Sequence, residues 1–139
     1  MFDHHNIPKV DMEFMNRENQ QALAIANRLE ALINLDDPQF VADRIDSLMQ
    51  ELVEHHRQHF DHENREMEAT HFPAHALHLA EHLRVLGEME AEYRSWSEGR
   101  DVARLRDYLS RRFPSWLMNH LVTRDTVSAT YMSRVAANS

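Results

Sequence analysis

The chain has 139 residues, 42% of them hydrophobic, with two Gly and no Cys. That size fits one domain, and the missing thiol excludes disulfide scaffolds, thiolate zinc sites, iron–sulfur clusters and cysteine nucleophiles. The 15 basic and 23 acidic residues give a formal charge of −8, which repels nucleic-acid backbones and anionic lipid heads.

Two Gly in such a chain argue against a turn-rich β architecture, and no glycine-rich phosphate loop is present. Residues 1–11 read as an irregular arm carrying Asp3, His4 and His5, with no apolar run that would mark a secretory signal. No stretch of about 20 apolar residues occurs, so no membrane span is expected, and a cytoplasmic monomer is the expectation.

A first helix is predicted from about Met12 to Asn34, with Met15, Ala22, Ile25, Ala26, Leu29, Leu32 and Ile33 spaced by threes and fours. Leu35-Asp36-Asp37-Pro38 stops it, with Asp37 placed to cap the next helix and Pro38 in its first turn. A second helix is predicted from Pro38 to Ala69, on which Ile45, Leu48, Met49, Leu52, His56, His59, Glu63 and Met67 share one stripe. A third runs from Ala74 to Ser97, with Leu79, His82, Val85, Leu86, Met89 and Tyr93 on its apolar side, and ends at Gly99. A fourth runs from Asp101 to about Tyr131, kinked or divided at Pro114, and residues 136–139 are expected to fray. Four helices with short connections predict an all-α, up-down-up-down antiparallel four-helix bundle. It is one domain over 1–139, with the bundle at about 12–134. The run Arg104, Arg106, Arg111 and Arg112 reads as a solvated face.

Eleven His is a high count for an acidic chain. His59 and Glu63 are four apart, as are His78 and His82, so each pair lies on one helix face. His120 and Asp125 are five apart, a rotation of roughly 140°, and this pair needs a local bend or an approach from adjacent faces. Phe60, Met67, Leu79, Leu86, Trp116 and Leu117 surround these positions. Imidazole and carboxylate beside apolar stripes need partners or a metal, and that donor set suits iron, manganese or zinc.

The runs His59-Phe60-Asp61-His62-Glu63, Met67, His78-Leu79-Ala80-Glu81-His82 and Trp116-Leu117-Met118-Asn119-His120-Leu121 through Asp125 resemble the bacterial hemerythrin family. The resemblance extends over nearly the whole chain. It implies a hemerythrin-like bundle holding two non-haem iron ions (Fe2+/Fe3+) with an oxo or hydroxo bridge. In that reading His78, His82 and His120 are terminal ligands on one iron, His59 is a terminal ligand on the other, and Glu63 and Asp125 bridge them. Dioxygen is the implied partner, with azide or peroxide as exogenous ligands.

The family's first helix usually adds one more His to the second iron, and by register that position is Asn19. Asn offers a neutral, weaker oxygen donor. Three outcomes stand open. Asn19 ligates directly or through water, His56 or His62 takes over, or the second site is weak. The implied function is dioxygen storage, delivery or sensing. The alternatives are a diiron peroxidase or oxidase and an iron-storage or metal-binding module without oxygen chemistry. Glu81, Glu51 and Glu54 are candidates to orient the ligating histidines. His55, His56 and His62 read as surface or supporting residues, and Trp116, Phe60, Phe113 and Met67 as core.

Overall fold

The spacing by threes and fours resolves into helices. The computed structural model describes Val10 and residues 12–137, and among these it contains helices and connecting turns but no strand. Helix α1 (Glu13–Ile33) buries Met15, Ala22, Leu23, Ile25, Ala26, Leu29 and Ile33, and with them Asn19 and Glu30. The Asn16 side chain clamps Val10 just before it, accepting from the Val10 N–H at 2.8 Å and donating to its carbonyl at 2.9 Å. Val10 therefore has no regular secondary structure, as expected of the arm, yet is packed in the core. His4 and His5 lie outside the described residues.

A 3-10 turn (Pro38–Val41) leads into α2 (Ala42–Ala69). Asp37 does not cap with its side chain, contrary to expectation; its backbone carbonyl accepts from the Phe40 N–H at 3.2 Å instead. The predicted stripe on α2 is buried throughout, from Ile45 to Met67.

Helix α3 (His75–Gly99) buries His78, His82, Val85, Met89, Glu92 and Trp96, an unbroken alternation of four and three. Leu79 was expected on this face, but it sits about 100° off the series and is 39% exposed. The helix does not end through a left-handed glycine. Gly99 is its last residue, and Arg100 takes φ 51°, a region that disfavours a side chain. Contacts fix it there. Two guanidinium nitrogens of Arg100 bind Asp46 of α2, Trp96 Nε1 donates to the same carboxylate at 2.9 Å, and the guanidinium lies 5.1 Å from the Trp96 ring centre.

The fourth helical run comprises α4 (Val102–Asp107), a π turn (Tyr108–Arg112), α5 (Phe113–His120), a second π turn (Leu121–Asp125) and α6 (Thr126–Ala137). Asp101 caps it, accepting from the Arg104 N–H at 3.1 Å. Pro114 neither divides nor ends this run. The wider π turn ahead of it lets the Phe113 N–H reach back to the Tyr108 carbonyl, so the ladder shifts register where proline removes a donor. Ala136 is helical, where fraying was expected.

The arginine run is not simply a solvated face. Arg104 and Arg112 both hold Glu92, a buried carboxylate on α3, with contacts down to 2.6 Å. Arg106 closes the end of α1 by donating to the Ile33 carbonyl at 3.0 Å and to Asn34 Oδ1 at 2.9 Å. Arg104, Arg106 and Arg111 are nonetheless exposed, as expected of a solvated face, and Arg111 pairs with Asp107 along its own helix. α1 packs on α2, α2 on α3, and the fourth run on α1. Among the described residues no helix is long and apolar enough to cross a membrane.

Candidate metal centre

All six residues singled out by spacing are buried: His59, Glu63, His78, His82, His120 and Asp125 are at most 4% exposed. Three elements supply them. Helix α2 brings His59 Nε2 within 2.5 Å of Glu63 Oε1, one turn on. Helix α3 sets the His78 and His82 rings 5.7 Å apart, and the His120 ring completes a triangle at 5.8 and 5.5 Å.

The π turn decides the third pair. Its i→i+5 bonding, seen where the Thr126 N–H meets the Leu121 carbonyl, absorbs one extra residue. A five-residue separation then comes round to where four would in an α-helix. His120 Nε2 lies 3.0 Å from Asp125 Oδ1. A local change in the helix was one of the two expectations for this pair, and the change observed is this widened turn.

Three of the four histidines have Nδ1 tied from outside. His59 Nδ1 meets Glu18 Oε1 at 2.7 Å, His82 Nδ1 meets Asn64 Oδ1 at 3.0 Å, and His78 Nδ1 meets Met67 Sδ at 2.9 Å. Each partner is an acceptor, so the proton sits on Nδ1 of His59, His78 and His82 and Nε2 keeps its lone pair when the ring is neutral. This is how supporting groups orient metal-binding imidazoles. Glu81, Glu51 and Glu54 do not take this part: Glu81 accepts from Trp116 Nε1 at 3.2 Å, and Glu54 pairs with Arg57. Glu18 and Asn64 act across helices, so no spacing in the sequence marks them; Met67 was marked by the α2 stripe as core, and its contact to His78 is what the structure adds.

Burial and charge divide the group. Burial first, then the charge of His120, pushes His82 down to about 2 and His78 down to about 4. Both are neutral donors near pH 7. Burial also disfavours charge on His59, but Glu63 and then Glu18 outweigh it and hold that ring at about 10. His120 is likewise raised against burial by its contact with Asp125. Glu63 is raised by burial and by the nearby Asp125 charge. Neither oxygen of Glu63 or of Asp125 has an aligned hydrogen bond, and the same holds for His82 Nε2 and both ring nitrogens of His120. The His–carboxylate pairs are close in distance without hydrogen-bond alignment. Buried carboxylates left in that condition are costly, and a cation between the pairs would relieve both.

Asn19 is buried at 3% exposure, and its Nδ2 has no hydrogen-bond partner. It neighbours Glu18, the residue that orients His59. His62 is drawn outward, with Nδ1 3.0 Å from Glu18 Oε2 and its ring stacked 4.0 Å from Phe14. His55 Nε2 binds the Glu18 carbonyl at 2.7 Å. Three imidazoles of α2 therefore gather on one residue of α1. The Glu18 carboxyl, which burial alone would raise, is held below its usual range by His59 and His62. His56 is buried, as its place on the α2 stripe implies. Phe60 and Trp116 wall the group, stacking on His82 at 4.0 Å and on His120 at 5.1 Å.

The donors adjoin without closing on one point: no group of three or more His, Asp or Glu among the described residues is drawn tightly enough to grip a metal as it stands. No family model matches the chain, and no solved structure matches it. Among curated proteins, the bacteriohemerythrin of Aquifex aeolicus (strain VF5) is 25% identical over 125 residues, covering 90% of this chain and 92% of that protein.

Proposed function

We propose that this protein is a hemerythrin-like, up-down-up-down antiparallel four-helix bundle that holds two non-haem iron ions and binds dioxygen. The observation that carries the reading is the triangle of His78, His82 and His120 beside Glu63 and Asp125, two buried carboxylates with no aligned hydrogen bond. Nitrogen donors with carboxylates that can bridge suit iron, and the likeness to a bacteriohemerythrin agrees.

His78, His82 and His120 would hold one iron, His59 the other, and Glu63 and Asp125 both. When bound, the iron pair supplies the two-electron chemistry that lets dioxygen attach and leave. The chain's own residues set the conditions. Met67 and Asn64 keep a proton on the outer nitrogen of His78 and His82, and so keep Nε2 available; Glu18 fixes the outer proton of His59, whose Nε2 becomes a donor when a cation takes the place of the proton it shares with Glu63. Phe60 and Trp116 exclude water from the rings they cover, which favours release of dioxygen over loss of a reduced product. Asn19, buried one residue from the Glu18 that orients His59, offers a neutral amide where the resembled family has an imidazole. This weakens the second site and favours faster oxidation, so peroxidase-like turnover is the second reading.

Metal analysis together with visible spectra, with and without azide, tests the proposal. Two irons per chain, azide-sensitive charge-transfer bands and an oxygen-dependent band that reverses on deoxygenation are expected. Zinc alone, without such bands in protein from iron-replete cells, would remove it. Steady consumption of many equivalents of peroxide without a reversible band would favour the enzyme.

A further inference from the structure

The fourth helical run carries six arginines, and four of them are committed: Arg104 and Arg112 to Glu92, Arg106 to the end of α1 and Arg111 to Asp107. Arg124 and Arg134 are not. Among the described residues neither side chain has an ion pair or a hydrogen bond, although acidic residues outnumber basic ones by 23 to 15. Both open onto one groove between the α2–α3 turn and α6. A cavity of about 540 Å³ is lined by Phe72, Pro73, Val127, Tyr131 and Arg134. A second, of about 320 Å³, is lined by Leu77, His78, Thr123 and Arg124, and shares Phe72, Ala74 and Val127 with the first. Both volumes fall among those of small-molecule sites, roughly 300–1,000 Å³.

No acidic side chain lines either cavity. Leu77 is 67% and Val127 58% exposed, so apolar surface lies open to water beside two guanidinium groups that nothing neutralises. The walls are held in place. The Tyr131 hydroxyl donates to the His71 carbonyl at 3.3 Å, the Phe72 N–H donates to the Met67 carbonyl at 2.9 Å, and the Phe72 and Tyr131 rings lie 5.2 Å apart. A groove formed in advance costs little ordering when it binds. An apolar wall beside an unpaired cation fits an amphipathic anion. The apolar body leaves water against the wall, and a carboxylate meets a guanidinium in a planar, two-pronged contact. Two copies of a chain of charge −8 repel each other, which disfavours self-association here. Arg124 is half-buried and Arg134 exposed, and a partly buried pair is screened less than an exposed one.

We propose that this groove binds a small amphipathic carboxylate, with its apolar body against Phe72, Val127 and Tyr131 and its carboxylate on Arg124. Arg134, exposed on the same groove, adds attraction at longer range. His78 lines the groove, and its ring lies 5.6 Å from that of Phe72. A bound acid therefore rests against a residue of the candidate metal centre. That consequence rests on the function proposed above; the binding site itself does not.

Titration calorimetry on the full chain as purified tests this, with octanoate as the probe, in the presence and absence of excess azide. Saturable binding of one octanoate per chain is expected, with Kd below about 1 mM and the same with and without azide. Acetate lacks the apolar body and octanol lacks the charge, and each should bind at least tenfold more weakly. Arg124→Gln should weaken octanoate binding at least tenfold, and Arg134→Gln by less than threefold. Val127→Asp, at an exposed position, sets a carboxylate in the groove and should abolish binding while the thermal melt stays unchanged. Absence of saturable binding, displacement by azide, which would place octanoate on a metal, or equal affinity in Arg124→Gln would each overturn the proposal. A dimer in sedimentation that Val127→Asp dissociates would overturn it too, since a second copy would then cover the groove. In parallel, fewer than two irons per chain would refute the iron reading and leave the octanoate result standing.

Discussion

Replacing His56 with Gln should make the metal-free protein less sensitive to mild acid. His56 titrates near 6.5 when unfolded and at about 3 when folded, because burial disfavours its charged form. Between those values the unfolded chain binds a proton that the folded chain does not, so stability falls as pH drops below about 6.5. At pH 7.5 the effect is negligible. At pH 5 the unfolded state gains about 1.5 pH units' worth of protonation, or about 2 kcal/mol at about 1.36 kcal/mol per unit. For a chain of this length that corresponds to about 6–8 °C in Tm. Calorimetry of wild type and His56→Gln at both pH values reads the difference of differences, which cancels the contributions of His78 and His82. Wild type should lose about 2 kcal/mol more than the variant between pH 7.5 and pH 5. Parallel curves would refute the buried, neutral assignment.

Glu18→Ala removes the acceptor that orients His59 and should weaken metal binding by about 10- to 100-fold, read by competition with a chelator. Unchanged affinity would deny that contact a role. On the proposed diiron reading, Asn19→His adds an imidazole donor at that position and should slow autoxidation of the dioxygen-bound form; an equal or slower rate in the Asn protein would sink the argument. Arg112→Ala removes the 2.6 Å contact to buried Glu92 but leaves Arg104 in place. A loss of about 1–3 kcal/mol is expected, measured by urea denaturation. A change below about 0.5 kcal/mol would mean that Arg104 alone satisfies that carboxylate.

The periodic residues were legible in the sequence because helices repeat at a fixed angle. That period placed the helical stretches within one to four residues of their observed starts and put His59 with Glu63, and His78 with His82, on shared buried faces. The composition alone excluded thiolate chemistry. What lies across helices was not legible. Glu18 reaches His59 from another helix, Asn64 reaches His82, and Arg112 reaches back to Glu92; a one-dimensional pattern carries no angle between separate elements. The π turns were hidden for a related reason. A sequence reading assumes about 100° per residue, and only the packed chain decides where a turn widens. That decision keeps the helical run continuous past Pro114 and brings Asp125 to His120, five residues away, so the tertiary structure supplied the geometry of a third pair that the sequence had marked without a way to bring it together.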